Sequence, residues 1–203
     1  MRGRKNASLA VRKVSLMGMM AAMLTGGKLA LAVIPNVEIV TLLSALYGYV
    51  FGGLGILAIL VFVTVEPLLW GVGTWVISYY LYWPFVGLVF FLFCRLGVKR
   101  CVPLTAAALL LTVWFGVLTS LVDIGLFMGY FDRFFERFAI YYMRGIVFYI
   151  VQLACNAVTF PLLFPPLSRT LFYIKGRFFP EGDGTRRRTP EREEDSSLSR
   201  GGD

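Results

Sequence analysis

The chain has 203 residues, with 58% hydrophobic and 16% aromatic side chains, and a mean hydropathy of +0.72. A soluble domain sits well below that, and the length suits one compact membrane domain rather than two. The net charge of +8 falls in groups between apolar runs, the pattern of cytoplasmic loops and not of a nucleic-acid patch, and with no histidine the chain lacks the means for Ser-His or Cys-His catalysis, HExxH zinc sites and His-ligated haem.

Residues 1–13 form a basic N-terminus carrying Arg2, Arg4, Lys5, Arg12 and Lys13. The first apolar run, Val14–Ile34, ends at Pro35-Asn36. It resembles a signal peptide in outline but has no clear small-x-small cleavage site before Pro35, so it reads as a retained helix. The second run, Val37–Phe51, is short for a span of about 20 residues, so it is expected to be little tilted or to enter only partway, and it stops at Gly52-Gly53. The third, Leu54–Trp70, has Glu66-Pro67 breaking its end; the fourth is Ile77–Cys94. Arg95, Lys99 and Arg100 follow, then the fifth run, Pro103–Tyr130, and the sixth, Gly145–Ser168. Arg169, Lys175, Arg177 and Arg186-Arg187-Arg188 open a tail over 169–203, whose polar end from Glu181 reads as disordered. Cys94, Cys101 and Cys155 form no CxxC and read as packing residues.

Parity sets the topology. The basic N-terminus and the Arg95–Arg100 loop are separated by an even number of spans, and the basic tail requires two more. The expectation is an all-α membrane protein, with six transmembrane helices in a compact bundle over 14–168 and both termini cytoplasmic. One loop breaks the charge rule. Between the fifth and sixth runs, Phe131, Phe134, Phe135 and Phe138 recur at helical spacing, with Asp132, Arg133, Glu136 and Arg137 opposite. That pattern predicts an amphipathic helix in the outer interface, with a lid over a site as the functional alternative.

Polar residues inside apolar runs are costly and are usually kept for a task. Lys28, Glu38, Glu66, Asp123, Gln152 and Asn156 are such residues. On the six-span topology all converge on the outer side, near Trp70, Trp75, Tyr79, Tyr80, Tyr82, Trp83 and Tyr149. An aromatic belt with snorkelling charges explains Trp75 and Tyr79 but explains Asp123 and Asn156 poorly. A pocket for a small polar, ring-containing ligand explains both: rings stack on aromatic faces, and acids accept from N–H groups. Lys28 is placed to pair with Glu38 or Glu66, or to meet a ligand anion. On the first run, Gly18, Ala22, Gly26 and Ala30 recur every fourth residue beside Met17, Met19, Met20 and Met23. Such a stripe admits close helix approach, either within the bundle or against a partner.

The stretches Ala21–Lys28, Ile34–Val40 and Tyr47–Gly53 resemble the substrate-binding S components of energy-coupling factor (ECF) transporters. The likeness covers about Val14 to Ser168 in plan and is sharpest over the first two spans. It implies a six-helix, multi-pass protein of a prokaryotic plasma membrane that binds a vitamin or related micronutrient at the outer face. It implies partners as well, a transmembrane coupling subunit and two ATPases, and neither cofactor nor enzymatic activity. The family's first helix packs on the coupling subunit through an Ala-x-x-x-Ala-like motif; here Gly18, Ala22 and Gly26 hold those positions, so the pattern is small-xxx-small rather than strictly alanine.

Two other classes compete. A structural or scaffold membrane protein of the rod-shape-determining type shares the multi-span plan but has no need of Glu66, Asp123 and Asn156 at one depth. An intramembrane enzyme needs a nucleophile with a base, a paired-Asp motif or zinc ligands. Asp123 has no DxxxD partner, and no spacing argues for a Ser-Lys pair from Ser44 or Ser120 with Lys28. There is no GxxxxGK[ST] loop either, so the chain does not energise transport itself.

Overall fold

The computed structural model describes residues 2–34, 37–127 and 133–179. Among them the protein is all helix, with six α-helices: α1 Arg2–Leu31, α2 Val40–Phe51, α3 Gly53–Trp70, α4 Trp75–Arg95, α5 Cys101–Val122 and α6 Phe134–Phe178. A π-helical turn, Asp123–Phe127, extends α5. Five of the six are long and apolar enough to cross a membrane; α2 is not. Exposed Leu, Val, Ile and Phe side chains cover their outer faces. A soluble monomer rarely shows so much contiguous apolar surface, whereas lipid tails match it.

The short helix is the centre of the bundle. Every residue of α2 is buried, and it packs on all five other helices. Glycines let this happen. A Cβ at Gly48 would lie 2.0 Å from the carbonyl oxygen of Gly87, so α2 and α4 cross backbone to backbone. Gly52 turns the chain from α2 into α3 at φ 59° and ψ −127°, a conformation that L side chains rarely adopt. Phe62, Phe90, Phe160 and Phe164 complete the core around it.

Two ends of the bundle are defined by their contacts. At one, the C-terminal turns of α1 and α3 meet the first turns of α4; call it the Glu66 end. At the other, the Lys99 end, polar side chains close orphan carbonyls. Lys175 donates to Val50 O at 2.7 Å, Tyr49 to Val98 O at 2.8 Å, and Arg12 to Phe178 O at 3.5 Å. The first and last of these satisfy the C-terminal ends of α2 and α6.

Several features of the helices differ from the sequence reading. Helix α1 begins at Arg2 rather than Val14: residues 2–13 contain no proline, and the single Gly3 sits in the first turn, where it costs little. Helix α3 continues through Glu66-Pro67 to Trp70. The aromatic stretch expected as a separate interfacial helix is, from Phe134 onward, the start of α6, with Phe134, Phe138 and Tyr142 stacked in series. Gly145 therefore does not open a span, since one glycine costs a helix only about 1 kcal/mol. Helix α6 also runs on past Ser168 to Phe178, despite Pro161, Pro165 and Pro166. The tail from Glu181 expected to be disordered lies outside the described residues.

Candidate functional site

Two polar groups meet beside an aromatic wall near the Glu66 end. In the first, the Lys28 ammonium on α1 pairs with a Glu66 carboxylate oxygen on α3. Glu66 is fully buried, while the Lys28 side chain is 27% exposed. The ammonium also lies over three rings, 4.9 Å from the centroid of Tyr79, 5.8 Å from Trp70 and 5.9 Å from Trp75. Each ring face is electronegative and adds cation–π attraction to the ion pair.

The second group is deeper. Asn156, near the middle of α6, donates through Nδ2 to Thr112 Oγ1 on α5 at 2.9 Å and to Glu38 Oε1 at 3.4 Å. Thr41 donates to the same carboxylate at 2.5 Å, and Cys155 Sγ to Glu38 O at 3.3 Å. Glu38 belongs to the connection before α2. With 12 residues, α2 covers about 18 Å of a hydrocarbon core roughly 30 Å thick. Its N-terminus therefore stops inside the bundle, and the connection carries Glu38 down to the level of Asn156. Gly27 permits that descent: a Cβ there would lie 2.8 Å from Ile39 Cγ2.

An aromatic wall joins the two groups. Trp75, Tyr79 and Trp83 contact one another edge to face along α4, at 4.9 and 5.7 Å between centroids. Tyr82 and Phe115 extend the wall to α5. Among the described residues, buried polar atoms of this region without a hydrogen-bond partner include Glu66 Oε1, Asn156 Oδ1 and Trp83 Nε1, with Ser78 Oγ on α4 and Thr159 Oγ1 on α6 beside them. Buried polar atoms are normally satisfied, and each such exception calls for a water or a ligand.

Of the nine residues read as ligand-binding, seven are thus accounted for in different ways. Lys28, Glu66, Trp70, Trp75 and Tyr79 form one contact set. Glu38 and Asn156 form the second. Gln152 is one turn from Asn156 on α6, half-buried, and makes no hydrogen bond among the described residues. Asp123 stands apart from both sets. It opens the π-helical turn about three turns beyond Thr112, and its carboxylate has no hydrogen-bond or salt-bridge partner among the described residues. Asn156 also lies deeper than expected, because α6 starts about three turns before Gly145. The sequence reading missed Thr41, Thr112, Cys155 and Gly27. A hydroxyl inside an apolar helix commonly back-bonds to its own turn, as Thr112 does to Ala108 O, so its type alone did not mark it.

The stripe on α1 faces away from the bundle. Met20, Ala21 and Leu24 form the buried side, while Gly18, Ala22 and Gly26 are exposed. A Cβ at Gly18 or Gly26 would meet nothing within 4 Å. Internal packing therefore does not require these small residues.

Compared with protein-family models, with curated proteins and with solved structures, the chain matches none. The architecture itself defines a multi-pass helical membrane protein with a polar cluster buried in its bundle.

Proposed function

We propose that the chain is the substrate-specific component of an ECF-type importer. In this reading it crosses the membrane six times, the second crossing made by the connection before α2 together with the short α2, with both termini cytoplasmic and the Glu66 end facing outward. It captures a vitamin-like micronutrient there and hands it to a transmembrane coupling subunit driven by two ATPases. The observation that carries the reading is the set of unpartnered atoms. Glu66 Oε1 and Asn156 Oδ1 are acceptors, Trp83 Nε1 is a donor, and all three are buried beside a wall of rings. A planar heterocycle carrying N–H groups and one acceptor would satisfy them while stacking on Tyr79 or Trp83. A scaffold protein gives these atoms no purpose.

The exposed stripe on α1 supports the assembly part of the reading. Small residues without an internal partner leave room for a foreign helix. The test is purification of the tagged protein from its native membranes, followed by an ATPase assay on the eluate. The proposal expects ATP hydrolysis to co-elute with the chain, and to disappear from the eluate of a Gly18→Leu, Ala22→Trp variant. A chain that elutes without any ATPase subunit under conditions that preserve membrane complexes contradicts it.

A further inference from the structure

The Lys99 end holds a cavity of about 510 Å³, remote from the polar cluster. Leu104, Phe164 and Phe172 line it, as does Tyr49, whose ring meets Phe164 and Phe172 edge to face at 5.4 and 5.9 Å. Lys99 and Arg169 stand at the exposed rim. Neither has a carboxylate partner among the described residues, where the ion pairs are Lys28–Glu66 and Arg133–Glu136. Among the described residues no acidic side chain lines the cavity. The first turn of α5 opens at Cys101, beside Lys99, without a side-chain cap.

We propose that this cavity seats one anionic phospholipid of the inner leaflet, with its phosphate between Lys99 and Arg169 and an acyl chain against Phe164 and Phe172. The charge argues for the headgroup: two cations with no carboxylate partner among the described residues, in a basic pocket between membrane helices at one end of the bundle, complement one phosphate. The aromatic and aliphatic wall argues for the chain, since a soluble phosphate leaves that surface uncovered. A ligand here would bridge Lys99 on the α4–α5 connection and Arg169 on α6.

Native mass spectrometry of the protein released from mixed micelles of phosphatidylglycerol and phosphatidylcholine tests this. One phosphatidylglycerol is expected to be retained per chain, in preference to phosphatidylcholine. Lys99→Gln with Arg169→Gln should cut retention by about tenfold or more, and Lys99→Arg with Arg169→Lys should restore it. Arg95→Gln, at the same end but outside the cavity, should change little. Equal losses in the Arg95 variant would mean a general surface attraction and would overturn the site. Displacement of the lipid by glycerol phosphate alone would replace the lipid by a soluble phosphate ester. A second reading comes from the thiols on the cavity wall: alkylation of Cys94 should slow in phosphatidylglycerol nanodiscs relative to phosphatidylcholine ones, and an unchanged rate contradicts occupancy.

Discussion

Lys28 and Glu66 pair across the α1–α3 interface, with the ammonium enclosed by Tyr79, Trp70 and Trp75 and the carboxylate wholly buried. The pair is asymmetric: the lysine retains a path to solvent and the glutamate has none. Removing the lysine leaves an uncompensated buried charge, which costs about 3–5 kcal/mol. Lys28→Met should therefore lower the melting temperature more than the double variant Lys28→Met, Glu66→Gln, which removes both charges. A thermal-shift series on the single and double variants reads the difference, and a double variant less stable than Lys28→Met contradicts the pairing.

Asn156 links α5, α6 and the connection before α2 through one side chain. Its carbonyl oxygen is left free, so a ligand N–H placed there contributes roughly 1–3 kcal/mol, or about ten- to a hundredfold in affinity. Asn156→Ala should lose that factor in uptake at normal membrane levels. Asp123→Asn should leave uptake near wild type, since Asp123 is remote from the cluster. A loss as large for Asp123 as for Asn156 would move the site toward the π-helical turn.

Gly48 and Gly87 set the crossing of α2 and α4. Gly48→Val puts methyl groups where backbone atoms already touch, and overpacking of this kind costs about 1–3 kcal/mol or more. Gly18→Val adds the same bulk to an exposed surface and should leave the isolated protein unchanged. Melting of the two variants in detergent should differ in that order; equal stability would contradict the assigned packing.

Topology is readable by chemistry. In a background with Cys94, Cys101 and Cys155 replaced by serine, a cysteine at Val72 should react with an impermeant maleimide from outside the cell. One at Lys99 should react only after permeabilisation. The opposite pattern would put the polar cluster on the cytoplasmic side.

The apolar runs are legible because lipid imposes length on each helix that crosses it. The Lys28–Glu66 pair is legible for a related reason, since a charge in such a run needs a partner. The deep group is not. That Glu38 descends to Asn156 depends on α2 being a half-length helix wrapped on all sides. No local propensity in Val37–Phe51 distinguishes a central half-helix from a short span. The start of α6 was equally hidden, because Phe134–Arg144 has the same helical period whether it lies on a membrane or continues into a span. Asp123 shares the outer-side depth expected for the cluster, but depth along a helix does not say which neighbours its side chain meets, and it lies on the π-helical turn apart from Thr112 and Asn156.

The central claim is that the buried cluster holds a small ligand, and native mass spectrometry of the gently purified protein tests it most directly. A stoichiometric small molecule with an aromatic nitrogen heterocycle should be retained by the wild type and lost by Asn156→Ala and by Glu66→Gln, both still folded by thermal shift. A folded wild-type protein that retains and binds no such compound from a panel of vitamins and their precursors, with water alone satisfying Glu66 and Asn156, would contradict it.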